Sequence, residues 1–176
     1  MVRAYYMDSS DADQREDHRL NDADLSLDEL KAKTGVNYFY FEPNSEEDMA
    51  KLAKLKQENK YTFEDEIVID ENMAEYEKKI KMFYREHIHS DEEIRYVADG
   101  SGYFDLRDKE DKWIRVAVSK GDLLIVPAGI YHRFTLDTNN YIHARRYFVG
   151  EPVWTPINRP CEDHSARIEY LKSMAV

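Results

Sequence analysis

Four side chains in two short segments carry the chemistry that this sequence offers. His87, His89 and Glu93 lie in the run His87-Ile88-His89-Ser90-Asp91-Glu92-Glu93, and His132 ends the run Pro127-Ala128-Gly129-Ile130-Tyr131-His132. Neutral imidazole nitrogens with a carboxylate oxygen suit Fe(II), Ni(II), Mn(II) or Zn(II). Such a set leaves positions of an octahedron open, which suits a metal that activates oxygen or holds a chelating substrate. The spacings His-x-His-x3-Glu-x6-Gly, ending at Gly100, and Gly-x5-Pro-x-Gly-x2-His, starting at Gly121, set these residues apart from scattered surface histidines.

On a helix, residues two apart point about 200° from one another, so His87 and His89 could not share an ion there. On a strand they share a face, and the pair therefore predicts a strand. The same parity carries Glu93, Arg95 and Val97 to the histidine face and sends Ile94 and Tyr96 to the other. Arg95 then points into the interior, where an unpaired guanidinium is costly, and an anionic substrate would supply its partner. His132 follows Asp122 to Val126, an apolar stretch that predicts a buried neighbouring strand, and a Pro-Ala-Gly turn.

The elements around these segments can be placed in order. Val2 to Met7 predicts a short strand, and the acidic stretch Asp8 to Asp24 predicts a loop. Ser26 with Glu29 forms a capping box for a helix through Lys33 that Gly35 ends. After the aromatic run Tyr38 to Phe41, Asn44 or Ser45 caps a second helix with Met49, Leu52 and Ala53 on one face. A third helix is expected from about Asn72 to Tyr84, with Met73, Tyr76, Ile80 and Phe83 forming a buried face. Short β-rich runs follow: Glu92 to Ala98, Tyr103 to Arg107, Trp113 to Val118, Asp122 to Val126, His132 to Leu136 and Tyr141 to Val149. With tight turns at Asp99-Gly100 and Asn139-Asn140 they predict an antiparallel meander. A proline-spaced extended tail begins at Glu151 and ends in a helix near Ser165 to Met174.

The 176 residues fit one domain, residues 1–176: covering strands and helices over about 1–84, a metal-binding core over about 85–150, and the tail over 151–176. The net charge of −11 argues against nucleic acid and anionic membranes, whose binding needs clustered Lys and Arg, and it favours a soluble monomer. Cys161 is the single cysteine, so no intramolecular disulfide can form, as suits a reducing compartment. No apolar run is long enough for membrane insertion and no signal peptide pattern is present, so a cytoplasmic location is expected, with passive access to a nucleus open to so small a chain. His143 alternates with Arg145 and Tyr147 and has no metal-like partner nearby in sequence; His18 and His164 are expected at the surface.

The two spaced segments resemble the sequence motifs of the cupin superfamily, antiparallel double-stranded β-barrels of jelly-roll type that hold a metal inside. Lys81 stands where the first motif usually begins with Gly, and Leu136 where the second often ends in Asn. Within the cupins, the runs around His87 to Tyr96, Gly100 to Asp105, Pro127 to Phe134 and Phe148 to Trp154, with Ala4-Tyr5-Tyr6-Met7-Asp8, resemble the acireductone dioxygenase family over essentially the whole chain.

That resemblance implies a mainly β fold with a few flanking α-helices and a metal held by His87, His89, Glu93 and His132. It implies a reaction of 1,2-dihydroxy-5-(methylthio)pent-1-en-3-one with O₂ in methionine salvage. With Fe(2+) the products would be 4-methylthio-2-oxobutanoate and formate; with Ni(2+), 3-(methylthio)propanoate, formate and carbon monoxide. Arg95 would balance substrate charge, Phe134, on the face of His132, would form an apolar wall, and Trp154 would help close the pocket. Two other classes remain open from sequence: a different metallo-cupin enzyme, and a non-catalytic cupin that binds a small molecule or a partner protein.

Overall fold

The structure is a computed structural model and describes residues 2–175. Its elements in chain order are β1 (Arg3–Tyr6), α1 (Leu27–Thr34), β2 (Asn37–Tyr40), α2 (Glu46–Glu58), β3 (Phe63–Asp70), α3 (Tyr76–Tyr84), β4 (His87–Ile88), β5 (Glu93–Arg107), β6 (Trp113–Ser119), β7 (Asp122–Val126), β8 (His132–Leu136), β9 (Tyr141–Phe148), β10 (Ile157–Asn158) and α4 (Ser165–Met174). One sheet runs β1-β6-β5-β8-β4-β10, and β5 also joins a second sheet ordered β2-β7-β5-β9-β3. All named pairings are antiparallel. The expected mainly β cupin architecture is present as two facing sheets with four flanking helices.

The strand order overturns the expectation of a meander, because β5 pairs with β6, β7, β8 and β9 rather than with sequence neighbours alone. It also overturns the turn expected at Asp99-Gly100. The chain does not reverse there; β5 runs on for 15 residues and crosses from one sheet to the other. A register shift between Val97 and Asp99 makes the corner. Gly100 sits at φ +79°, and a Cβ there would lie 2.4 Å from the Tyr141 carbonyl oxygen. The turn signal therefore marks a bulge, which bends a strand and reverses which side chains face inward. Before it Glu93, Arg95 and Val97 face the interior; after it Phe104 does.

The core between the sheets is built from Leu106, Ile114, Val116, Val126 and Ile130, all fully buried. A second cluster lies under α2, where Leu52 meets Tyr96, Leu123 and Tyr147. Burying Leu52 contributes roughly 2 kcal/mol. Strand β7 is buried at every position: Leu123 to Val126 form an apolar run covered on both faces, and Asp122 accepts from Tyr38 and Ser119. Ser45 caps α2, but Ala53 is exposed, and Met49, Leu52 and Leu55 form the contact face instead. α1 has the expected capping box and ends at Gly35, in the left-handed conformation.

The loop from Asp8 to Asp24 is irregular apart from isolated bridges, and it packs on buried charge. Arg115 pairs with Asp105 at 2.7 Å, both wholly buried, and its Nη1 donates to the carbonyls of Gln14 at 3.0 Å and Glu16 at 2.6 Å. His18 is not at the surface as expected. It is buried, with ring nitrogens 3.0 Å from Asp8 Oδ1 and 2.8 Å from the Asp13 carbonyl, and it organises the loop from inside. His164 is half-buried and caps α4, its Nδ1 accepting from Ala166 N–H.

Candidate metal centre

The three imidazoles converge from two strands. His87 sits in the two-residue strand β4, paired directly with His132 at the start of β8, and His89 follows one residue past the strand. Ring centroids are 4.5 Å apart for His87 and His132, 4.9 Å for His87 and His89, and 5.3 Å for His89 and His132. One nitrogen from each lies within 4.8 Å of the others, close enough to hold one ion. Glu93 opens β5 and brings Oε2 to 2.6 Å from His132 Nε2 and 3.9 Å from His89 Nε2.

The backbone fixes which nitrogen is free. The Nδ1 of His87 donates to the Arg85 carbonyl at 2.5 Å, and that of His132 to the Ile130 carbonyl at 2.9 Å. In both rings Nε2 is the nitrogen turned inward, the arrangement that metal-binding histidines use. Burial pushes His87 down to about 4, helped by the nearby His132, and burial lowers His89 as well. Burial alone would raise the Glu93 carboxyl, but Arg95, His132 and His89 together hold it well below the usual carboxylate range. At neutral pH, His87 and His89 are neutral donors and Glu93 an anionic one.

The donor set fits a divalent cation on a further observation. Among the described residues, four buried side-chain polar atoms lack a hydrogen-bond partner, and two of them are Glu93 Oε2 and His132 Nε2. Buried polar atoms are seldom left unsatisfied. These two atoms face one another at 2.6 Å in one buried space, and a cation bound by both would satisfy them.

The space is a cavity of about 200 Å³ between the sheets. Its polar end holds His87, His89, Glu93 and His132 with Arg95. Arg95 Nη2 lies 3.0 Å from Glu93 Oε1, so the partner that the sequence left to a substrate is supplied by the protein itself. Phe134, Phe83 and Phe104 form an apolar wall, with Phe134 centroids 6.4 Å from Phe83 and 5.0 Å from Phe104. Trp154 lines the mouth, edge-on to Phe148 at 4.8 Å.

Several lining residues escaped the sequence reading. Arg146 on β9 faces the cavity, bound to Asp65 at 2.8 and 2.6 Å and stacked 3.8 Å from the Trp154 ring. Its signal was readable: Ile142 and Ala144 share its parity, and a guanidinium among buried apolar positions points inward. Ile67 and Ile69 come from β3, a strand disguised by its acidic residues. α3 starts at Tyr76, not Asn72, and carries no fully buried residue; it offers Phe83 and Met82 to the cavity. His143 is elsewhere, 3.3 Å from Glu66.

Residues 3–156 match the model of the ARD/ARD' family. The chain belongs to that family. The acireductone dioxygenase of Ixodes scapularis is 54% identical over 99% of this chain and 97% of its own length. That of Branchiostoma floridae is 54% identical over 100% and 99%, and that of Drosophila melanogaster 53% over 98% and 94%. A solved acireductone dioxygenase from Bacillus anthracis, with a cadmium ion in its active centre, superposes with TM-score 0.71 over 89% of this chain and 98% of that one, at 22% identity. The superposition establishes the cupin fold of this family member. No helix among its described residues is long and apolar enough to cross a membrane.

Proposed function

We propose that this protein is an acireductone dioxygenase that joins 1,2-dihydroxy-5-(methylthio)pent-1-en-3-one to O₂ in methionine salvage. The observation that carries the reading is the charge of the cavity. Of the charged lining residues, Glu93 is paired with Arg95, and Arg146 with Asp65 behind the wall, so these charges cancel before any ion is bound. A divalent cation on His87, His89, Glu93 and His132 brings the total to +2, matched by a doubly deprotonated enediol.

His87, His89, Glu93 and His132 would hold Fe(2+) or Ni(2+), which would supply a Lewis acid for the enediolate oxygens. The chain's own residues orient and enclose the substrate. Arg95 and Arg146 stand beside the polar end and stabilise negative charge in a site shielded from water. Phe134, Phe83 and Phe104 receive the thioether end, and Trp154 narrows the mouth. Holding both ends restricts which carbons meet oxygen, an orientation effect. With Fe(2+) the products are 4-methylthio-2-oxobutanoate and formate; with Ni(2+), 3-(methylthio)propanoate, formate and carbon monoxide. The reading places the enzyme as a monomer in the cytoplasm, and in a nucleus where the cell has one.

The test is product analysis after apoprotein reloaded with Fe(2+) or Ni(2+) is given acireductone in air. The expected result is the keto acid with iron and carbon monoxide with nickel, each faster than spontaneous oxidation. Absence of acceleration with both metals overturns the assignment.

A further inference from the structure

The tail after the strands holds the metal centre from behind. β10 pairs Asn158 with His87 and Ile157 with Ile88, so β4 is held between β8 and the tail. A strand of two residues has little pairing of its own, and side chains must supply what fixes it. Arg159 does so. Its backbone N–H donates to the Glu86 carbonyl at 3.2 Å, and its Nη1 to Glu86 Oε2 at 2.8 Å. The same guanidinium grips Asp111 at 2.8 and 3.0 Å and lies 4.2 Å from the centroid of the Tyr131 ring.

Glu86 and Tyr131 are the residues that immediately precede His87 and His132. Arg107 completes the link. It donates to Glu86 from Nε at 2.8 Å and Nη2 at 3.2 Å, and its backbone N–H binds the Tyr131 carbonyl at 3.0 Å. Tyr131 is wholly buried, and its hydroxyl donates to Glu162 Oε1 at 2.7 Å, another tail residue. Two histidine-bearing segments are therefore tied to one another by Arg107 and Arg159, and Arg159 is the one of the two that belongs to the tail. The Arg159 side chain is 28% exposed, half-buried enough for these charged hydrogen bonds to count.

We propose that Arg159 is a positioning residue for the metal centre, which locks His87 through Glu86 and His132 through Tyr131 and so slows release of the ion. The proposal rests on the metal-site reading above. Groups that orient ligands from behind are worth about 10–100-fold in metal affinity.

The experiment follows loss of Ni(2+) from the loaded protein into excess chromogenic chelator at neutral pH. It compares wild type with Arg159→Met, Arg159→Lys and Arg145→Met, the last breaking the outer-face pair with Glu66. Release should be about 10-fold or more faster in Arg159→Met. Arg159→Lys, which keeps a charge against Glu86 but cannot also grip Asp111, should fall between. Arg145→Met should match wild type even where its melting temperature drops. If Arg159→Met does not fold, Glu86→Gln breaks the same link and should show the same faster release. Wild-type release from the Arg159→Met protein, or from Glu86→Gln in its place, overturns the proposal, as does equal acceleration in Arg145→Met. Failure of wild type to bind Ni(2+) overturns the metal-site reading itself.

Discussion

Arg95→Met removes a buried charge from beside Glu93 while keeping a side chain of similar reach, and its effect should depend on the metal. The pair is separated by 3.0 Å, with the two side chains 12% and 11% exposed. At that distance and an effective dielectric constant of about 20, the attraction is roughly 5 kcal/mol. Deleting Arg95 also relieves the cost of burying it, so the measured loss is that of leaving Glu93 without its partner, about 3–5 kcal/mol. A loss of 3 kcal/mol in a chain of this length corresponds to a fall in melting temperature of roughly 6–12 °C. In the loaded protein, a dication against Glu93 takes over as counter-charge, and the loss should be smaller by about 2 kcal/mol or more. By linkage, the folded variant binds the ion correspondingly more tightly. The assay is urea unfolding of wild type and variant, chelator-treated and metal-loaded, at pH 7.5. Equal losses in the two states would refute the claim that Glu93 faces both Arg95 and the ion.

Glu93→Ala should leave the fold intact by circular dichroism but remove most bound metal and turnover; metal analysis showing full occupancy would exclude Glu93 as a ligand. Arg146→Leu should keep the metal and cut kcat/KM by about 100-fold, the cost of one lost charge-assisted contact in a dry site; unchanged kinetics would leave Arg146 a purely structural partner of Asp65. Gly100→Ala forces a Cβ to within 2.4 Å of a backbone oxygen at φ +79°, and it should cost about 2 kcal/mol or more in urea unfolding. His87 is depressed to about 4 in the folded apoprotein, so below its ordinary value near 6.5 only the unfolded chain takes up its proton. Its contribution to apoprotein stability is complete above pH 6.5 and is lost as pH falls toward 4, about 3 kcal/mol in all. In His87→Asn that part of the pH dependence should vanish; an unchanged acid limb would contradict the burial of a neutral His87.

The site was more legible in the sequence than the fold that carries it. Strand parity is local: Glu93 and Arg95 share a face of β5 because side chains alternate, whereas His87 comes from the separate strand β4, and His132 arrives beside it because β8 pairs with β4. Gly100 misled because one residue type serves both tight turns and bulges, and only the pairing of β5 with two sheets distinguishes them. β3 was missed because Glu64, Asp65 and Glu66 mask the alternation of Phe63, Ile67 and Ile69, and its place beside β9 depends on distant residues. Phe83 has the helical spacing of a core residue yet lines the cavity, since a stripe that packs on a core and one that lines a cavity in it have the same period. His18 lies among polar residues that suggest the surface, but Asp8 and the Asp13 carbonyl are the groups its ring binds.

The most direct test of the metal centre is the anomalous difference density of crystals of the iron-loaded protein, recorded at the iron absorption edge. The account predicts one peak between the sheets, with Nε2 of His87, His89 and His132 and a carboxylate oxygen of Glu93 as its protein ligands, at distances of about 2.0–2.2 Å. A peak elsewhere, such as beside His143 and Glu66, or a shell that lacks these imidazoles, would contradict it.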